Sequence, residues 1–263
     1  DCWLKPIAMT HDDTLPVMTF RELEDFKEGQ VLLVDKPLEW TSFDVVNKVR
    51  GHLRHALNVK KIKVGHAGTL DPLATGVLVV CTGKATKRIE KLQAQDKSYT
   101  ATIRLGAHTP CLDAELPVET WIDAAHLRPE EINAAVASLC GPMQQLPPLY
   151  SAKKVNGQKA YAVARKGGEI ELKRASIEIK KMEVHAVQQR KVNGHPVVDV
   201  DVEIDCTKGT YIRSIARDLG ENLGVGGHLT ALRRTLNGPF PITECLQLPD
   251  LIQVIESLPQ TEQ

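Results

Sequence analysis

A single carboxylate stands out by its setting in the chain. Asp71 lies in the stretch Gly65–Leu78, where a proline follows it and three glycines surround it. Glycine lets the backbone turn with positive φ or approach a ligand closely, and Pro72 disfavours the helical region for the residue before it. The pattern predicts a rigid, non-helical turn that presents an acid able to act as a nucleophile or as a base. Local physics alone favours the plainer interpretation, an aspartate that caps a turn.

Hydrophobic spacing predicts the elements that position this turn. Gln30–Asp35 and Gly76–Cys81 are short apolar runs typical of buried strands. Between them, Thr41 or Ser42 is placed to cap a helix whose apolar residues recur at helical spacing from Val45 onwards. The turn is therefore expected between a helix and a strand.

The remaining segments predict a mixed sheet. Three of them alternate as strands do: Tyr99–Leu105, Ser176–Gln188 and Val197–Asp205. The last two are expected to pair across a turn at Asn193-Gly194. Helices are predicted from Pro129 to Leu139 and over Thr210–Leu223, whereas Leu229–Leu236 fits a strand or a short helix. Because strands and helices do not alternate regularly, we expect an α+β fold, a mixed, largely antiparallel β-sheet with flanking helices.

The distribution of charge along the chain indicates a polyanionic partner, although the overall net charge does not. In total, 33 Lys and Arg match 33 Asp and Glu. Residues 1–30 hold seven acids and three bases, and residues 235–263 hold four acids and no Lys or Arg, so residues 31–234 carry 30 bases against 22 acids. A net charge of +8 on this central part would attract phosphates. For any single basic run, a solvated helix face is the better interpretation.

Composition bounds the class of protein. Hydrophobic content of 42% and charged content of 25% are typical of a soluble globular protein, and neither a transmembrane helix nor a secretory signal is predicted. The six cysteines are scattered singly, which argues against a zinc site and favours a reducing cytoplasm. The sequence contains no P-loop, no Rossmann glycine pattern and no metal-spaced His/Cys cluster, so we expect neither a cofactor nor a metal.

The stretch around Asp71 resembles the core motif of the TruB family of pseudouridine synthases, Gly-x-Leu-Asp-Pro-x-Ala-x-Gly, in which the aspartate is catalytic. Other stretches match family motifs in the expected order: Val34–Pro37 with Ser42, Lys97–Tyr99, Pro148–Lys153 followed by Gly157, Tyr161 and Arg165, and Gly209–Arg213. The resemblance spans roughly residues 31–234. It implies the pseudouridine synthase fold and the isomerisation of a uridine in RNA, a reaction that consumes no metal, nucleotide or other cofactor.

The resemblance implies three catalytic residues. Asp71 would act on the ribose, either by attacking C1′ or by removing a sugar proton, and the sequence does not separate these routes. Arg213 matches the family arginine that pairs with the aspartate and keeps it ionised, a task suited to a planar guanidinium. Tyr99 matches the tyrosine that stacks on the target uracil, and its hydroxyl is available to take the C5 proton. A surface helix cation and an ordinary cross-strand aromatic are the structural alternatives for these two residues.

Five residues are assigned to the substrate by the same resemblance: His66, Leu232, Lys36, Lys153 and Arg165. His66 resembles the histidine that contacts the RNA loop and fills the stack vacated by a flipped base, and Leu232 matches an apolar residue that lines the base pocket. Lys36 is expected to support the site, while Lys153 and Arg165 belong to an RNA-clamping insertion and offer charge to phosphates. A turn histidine and a core leucine are the alternatives for the first two.

We expect three segments: a loosely organised, partly disordered N-terminal extension over residues 1–30, a catalytic domain over residues 31–234 with the insertion at about 147–175, and a C-terminal tail over residues 235–263 without a separate RNA-binding domain. The leading hypothesis is a stand-alone cytoplasmic enzyme, a monomer without an obligatory protein partner, that acts on the T-loop uridine of tRNA, position 55, through the T-arm. The alternatives are the catalytic subunit of a guide-RNA pseudouridylation particle, a non-catalytic tRNA-binding or tRNA-folding module, and a small-molecule hydrolase.

Overall fold

The computed structural model describes residues 16–150 and 172–259, together with the backbone of residues 154–155 and 158–159. The sequence also predicts a short helix over Tyr161–Lys166, ended by Gly167-Gly168, but these residues lie outside the described ones. The chain divides into two compact units, a first unit of Asp1–Gln95 with Arg234–Gln263 and a second unit of Asp96–Arg233. The fold is α+β, with mixed, largely antiparallel pairing of strands and flanking helices. The fold class predicted from the sequence is confirmed.

The helices of the described residues, in chain order, are α1 Asp25–Glu28, α2 Ser42–Ala56, α3 Ile89–Gln93, α4 Pro129–Ser138, α5 Ile212–Asn222 and α6 Leu248–Ser257. Short 3-10 helices cover Gly83–Arg88 and Ile242–Glu244. The strands are β1 Val31–Lys36, β2 Val64–Ala67, β3 Ala74–Thr82, β4 Lys97–Leu105, β5 Ala107–His108, β6 Thr120–Trp121, β7 Gly141–Gln145, β8 Lys154–Val155, β9 Gln158–Lys159, β10 Ala175–Val192, β11 His195–Cys206, β12 Gly227–Asn237, β13 Phe240–Pro241 and β14 Leu246–Gln247. No helix in the described part of the chain has the length and apolarity needed to cross a membrane.

In the first unit, β1 lies between β3 and β14, antiparallel to the former and parallel to the latter. Both faces of β1 are covered, which explains why its first four residues are all apolar. Leu32 and Val34 pack with α2 and α6 on one face, whereas Val31 and Leu33 pack with Phe240 on the other. β2 pairs with β3 and carries the chain into the Asp71 turn.

Residues outside the predicted catalytic domain complete this core. Phe20 and Phe26, from the predicted N-terminal extension, are fully buried, and their ring centroids lie 4.8 Å apart. Leu251 and Ile255 of α6 belong to the same cluster as Val49 of α2. Residues 16–30 and the C-terminal segment therefore support the strands that frame Asp71.

The N-terminus of α2 forms as predicted. The hydroxyl of Thr41 accepts a hydrogen bond from the Asp44 backbone N–H (3.0 Å), and the Asp44 carboxylate accepts one from the Thr41 backbone N–H (2.9 Å). This reciprocal capping box satisfies two donors that the first turn of a helix leaves without partners. It fixes where α2 begins, directly after the loop that faces the Asp71 turn.

In the second unit, the strand order is β12-β4-β11-β10-β7, so the ambiguous segment Leu229–Leu236 is a strand. β10 and β11 form the predicted antiparallel pair. Their turn residues Asn193 and Gly194 have φ of 49° and 85°, the doubly positive pattern of the two-residue hairpin turns whose twist matches the strands. The apolar face of α5, with Ile215, Ala216 and Leu219, is buried.

Two constraints meet at Gly76 in β3. Its φ is 103°, and a Cβ atom there would lie 2.1 Å from the carbonyl oxygen of Arg234. Gly141 has nearly the same φ, 104°, but within the described residues nothing beyond its chain neighbours lies within 4 Å of its Cβ position. Substitution of Gly76 would introduce both backbone strain and steric overlap, whereas substitution of Gly141 would introduce backbone strain only.

We expect Gly76→Ala to lower the free energy of unfolding by about 3 kcal/mol or more, because strain of about 1–2 kcal/mol adds to overpacking of about 1–3 kcal/mol. Gly141→Ala should lower the free energy of unfolding only by the strain contribution, because no overpacking arises there. Urea denaturation of both variants measures the difference, and equal losses would contradict the close packing of β3 against Arg234.

Candidate active site

Asp71 lies on a non-helical turn, as predicted, but the turn joins two strands, because β2, which the sequence analysis did not predict, lies between α2 and Asp71. The backbone N–H of Ala74 donates to the carbonyl oxygen of Asp71 (3.0 Å), which closes a four-residue turn with Pro72 at its second position. The pyrrolidine ring fixes one backbone angle of this turn. The half-buried carboxylate is therefore carried by a stiff segment of backbone.

Lys36 joins this turn to the loop after β1. The residue is fully buried, and its ammonium group donates to the carbonyl oxygens of Pro37 (2.8 Å), Trp40 and Pro72 (3.3 Å). Burial lowers the pKa of Lys36 to about 8, whereas the negative charge of Asp71 acts in the opposite direction. Lys36 is thus a structural cation beside the acid.

Ser42 holds the residue before the acid. Its hydroxyl oxygen accepts a hydrogen bond from the backbone N–H of Leu70 (2.8 Å) and donates one to the carbonyl oxygen of the same residue (3.1 Å). All of these groups are buried, so each bond is costly to lose. The first turn of α2 is therefore fixed to the approach to Asp71.

Arg234 holds the two flanks of the turn. Its side chain is 1% exposed, and it donates from Nε to the carbonyl oxygen of Val77 (2.7 Å) and from Nη2 to that of Gly68 (3.0 Å). One planar guanidinium therefore spans the entry to the turn and the strand that leaves it. The sequence did not indicate this role, because nothing in the chain near Arg234 points to Gly68.

His66 is half-buried on β2. Its Nδ1 atom is buried and makes no hydrogen bond within the described residues. Burial, and then the positive charge of Arg234, lower the pKa of His66, so the ring is neutral at pH 7. A neutral aromatic ring suits stacking against a base, but contact with RNA stays a prediction.

Arg213, in the first turn of α5, is 5% exposed. Its Nη1 atom donates to the carbonyl oxygen of Cys111 (3.0 Å), and its Nε atom lies 3.8 Å from Oδ2 of Asp113, which is 6% exposed. The helix dipole disfavours a cation at this end of a helix, and burial adds a desolvation cost. The carboxylate of Asp113 offsets both.

The backbone around Arg213 is held from two directions. Gln145, at the end of β7, accepts a hydrogen bond from the Tyr211 backbone N–H (2.9 Å) and donates to the Tyr211 carbonyl oxygen (3.1 Å). Leu112, whose φ is 64°, accepts at its carbonyl oxygen from the Leu229 backbone N–H (3.0 Å). The guanidinium and its acid are therefore positioned by separate elements of the second unit.

The other predicted site residues are distributed as follows. Tyr99 is 6% exposed on β4, opposite Ile204 of β11, and Leu232 is half-buried on β12. The side chains of Lys153 and Arg165 lie outside the described residues. The pairing of Arg213 with Asp71 and the roles of Tyr99 and Leu232 stay predictions. Across the described segments, no group of His, Cys, Asp and Glu is arranged to hold a metal ion.

Comparison with known proteins identifies the family. The model of the N-terminal domain of TruB family pseudouridylate synthases matches residues 54–212, and that of the tRNA pseudouridylate synthase B C-terminal domain matches residues 213–262. The chain belongs to the TruB family. The tRNA pseudouridine synthase B of Phocaeicola vulgatus is 47% identical over 236 residues, which cover 90% of this chain and 94% of the relative. That of Bacteroides fragilis is 48% identical over 222 residues, covering 84% of this chain and 92% of the relative.

Among solved structures, a Cbf5-Nop10-Gar1 complex matches with a TM-score of 0.63 and 29% sequence identity. The match covers 94% of this chain but only 60% of the matched chain. The fold is thus shared with a chain of this complex that is considerably longer.

The depressed pKa of Lys36 predicts a pH-dependent stability. Its value of about 8 in the folded protein lies below the ordinary 10.5, so between these values the unfolded chain holds a proton that the folded chain has lost. The contribution of Lys36 to the free energy of unfolding therefore rises with pH between about 8 and 10.5. Below pH 8 the side chain is charged in both states, and burial of that charge opposes folding.

We expect the free energy of unfolding of the wild type, relative to Lys36→Met, to increase from pH 7.5 to pH 10. Urea denaturation at the two pH values measures it. Lys84→Met, at a side chain that is 71% exposed, controls for general alkaline effects. A difference that stays constant with pH would contradict the buried ammonium.

Proposed function

We propose that this protein converts the T-loop uridine of tRNA, position 55, to pseudouridine, alone and without a cofactor. The observation that carries the proposal is one acid, Asp71, on a turn held by buried polar side chains in a chain of the TruB family. Relatives that carry the name tRNA pseudouridine synthase B are similar along nearly their whole length, which supports tRNA as the substrate.

The proposed reaction needs little besides a positioned carboxylate. The bond between C1′ and N1 breaks, the uracil rotates, and C1′ joins C5. The proton on C5 then leaves and N1 gains one, so the atoms balance without an external reagent. Asp71 acts on the ribose by attack at C1′ or by removal of a sugar proton, and both routes need the ionised carboxylate. The buried ammonium of Lys36 favours that form, since a nearby opposite charge stabilises it.

Arg213 supplies a second positive charge in this proposal. A guanidinium remains protonated and can hold a carboxylate in a bidentate geometry. Asp113, 3.8 Å from its Nε atom, orients the side chain and balances its charge between turnovers. Hydrogen-bond donors that are fixed in advance need no reorganisation during the reaction. Electrostatic stabilisation of this kind is typically the largest single contribution to enzyme catalysis.

The target base must leave the stack of the T-loop, which costs a few kcal/mol. In the proposal, Tyr99 stacks on the flipped uracil and Leu232 lines its pocket. The neutral ring of His66 fills the vacated space, and Lys153 and Arg165 hold phosphates from the insertion. These contacts position the RNA through its shape and backbone.

We propose a cytoplasmic monomer without an obligatory protein partner. The cysteines of the described residues, Cys81, Cys111, Cys140, Cys206 and Cys245, are all free thiols, which supports a reducing compartment. A stand-alone enzyme is favoured over a guide-RNA subunit because the tRNA pseudouridine synthase B of Phocaeicola vulgatus is 47% identical to this chain, whereas the matched chain of the Cbf5-Nop10-Gar1 complex is 29% identical.

We expect the wild type to convert the T-loop uridine of an unmodified tRNA transcript without metal, nucleotide or guide RNA. Asp71→Asn should abolish conversion while tRNA binding survives, because the amide keeps the shape but loses the charge. Asp250→Asn, at an exposed position on α6, is the matched control. Mapping of pseudouridine measures conversion. Full-rate conversion by Asp71→Asn would refute the catalytic role, and binding without conversion by the wild type would favour a tRNA-binding module.

Arg213→Lys tests the guanidinium. We expect kcat to fall on the order of 100-fold, the cost of losing one preorganised donor, since an ammonium cannot reproduce a bidentate grip. Arg104→Lys is the control, because Arg104 also makes a bidentate pair, with Asp199 at 2.8 Å, in the same unit. Near-normal turnover by Arg213→Lys, or an equal loss in the control, counts against the assignment.

A further inference from the structure

An exposed aromatic side chain lies beside the Asp71 turn. Phe43, the second residue of α2, is 59% exposed. It follows Ser42, whose hydroxyl group binds the backbone of Leu70 next to the acid. The core does not account for Phe43, because the buried stripe of α2 is formed by other residues, among them Val45 and Val49.

Phe43 begins a stripe along one face of α2. Asn47, Arg50 and Arg54 follow it at intervals of four, three and four residues, the spacing of neighbours on one side of a helix. Arg50 donates from Nη2 to the carbonyl oxygen of Val64 (2.8 Å), so the stripe borders β2, the strand that carries His66. From its first to its last residue it extends about 16 Å along the helix.

The loop from α2 to β2 continues the positive charge. Lys60, Lys61 and Lys63 are exposed, while Ile62 between them packs against the core and anchors the loop. Residues 45–70 contain six Lys and Arg and no Asp or Glu. Within residues 16–150 and 172–259, no carboxylate forms an ion pair with Arg54 or with these lysines. The like charges on this face repel one another unless a bound anion neutralises them.

We propose that Phe43, Arg54, Lys60, Lys61 and Lys63, here called the α2 tract, bind the strand of substrate RNA that leads away from the reacting uridine. The base of a nucleotide further along this strand stacks on Phe43, and the phosphates that follow lie along Arg54 and the lysines. The inference rests on the proposed function, because the occupant is the same RNA. Stacking tolerates any base, and the lysines read only the backbone, so the tract gives affinity and register rather than sequence choice.

Charge and shape favour RNA as the occupant over a protein. The unbalanced positive charge is matched by a regular polyanion, whose binding releases counterions. The aromatic ring lies at the start of α2, the end of the helix that is held to Leu70 beside Asp71, where the strand leaves the reacting uridine. An acidic protein surface would use the charge but would give no reason for an exposed ring at that end.

The test uses the full chain and the unmodified tRNA transcript. We expect Phe43→Ala to raise KM about tenfold, within the cost of losing one stacked base, with a much smaller change in kcat. Phe43→Tyr should restore KM because it keeps a stacking face. A triple variant, Lys60→Gln with Lys61→Gln and Lys63→Gln, should make the slope of log affinity against log salt concentration shallower by about two. Each lost phosphate contact contributes about 0.7 to that slope, and three contacts are removed.

Lys84→Gln is the matched control. Lys84 is exposed on the same unit, but Glu28 already neutralises its charge, so its removal should leave both KM and the salt slope unchanged. Melting temperatures of all variants should equal that of the wild type, because each altered side chain is exposed.

If Phe43→Ala and the triple variant keep the KM and the salt slope of the wild type, RNA binding by the α2 tract is refuted. Conversion of the uridine by the wild type would still support the proposed function. A KM defect that Phe43→Tyr does not restore would also overturn the stacking contact. If the wild type fails to convert the uridine, the proposed function falls, and tRNA binding by the same variants still decides whether the tract holds RNA.

Discussion

The buried ammonium of Lys36 is the interaction on which the first unit's site depends. A charge removed from water is tolerated only when fixed dipoles or an opposite charge replace the solvent. Here three carbonyl oxygens replace it, and Asp71 supplies the opposite charge. Because those carbonyls belong to the loop after β1 and to the Asp71 turn, one group fixes both segments. Ser42 and Arg234 then fix the backbone on either side of the acid.

The second unit repeats the same logic with a different cation. Arg213 is buried where a helix dipole disfavours it, and Asp113 and the Cys111 carbonyl oxygen compensate. In each unit a buried cation is held by backbone carbonyl groups, so neither depends on solvent for its orientation. This is the arrangement expected when charges must be in place before a substrate arrives.

Local patterns predicted the elements whose causes are local. The Asn193-Gly194 turn and the Thr41 cap each depend on residues within four positions, so their spacing identified them. Leu229–Leu236 was ambiguous because its own residues fit both a strand and a short helix, and its neighbours in the sheet, β3 and β4, are remote in sequence. Asp71 itself was recognised only through a family motif, since local physics alone favours a turn cap.

Long-range contacts were beyond reach of the sequence. Arg213 and Cys111 are 102 residues apart, and Arg234 and Gly68 are 166 apart. No periodicity links such pairs, because only the folded chain brings them together. Asp113 therefore carried no signal in the sequence, although the structure places it beside a predicted catalytic residue.

We expect the backbone of the first unit to hold one carboxylate, that of Asp71, ready for the ribose of an extruded nucleotide. A structure of the protein bound to T-arm RNA, with a non-isomerisable uridine analogue at the target position, would locate that ribose. We expect the target nucleotide outside the stack, with C1′ within about 3.5 Å of an Asp71 oxygen, and the Asp71 turn unchanged. A target nucleotide still stacked in the loop, or a ribose out of contact with Asp71, would contradict it.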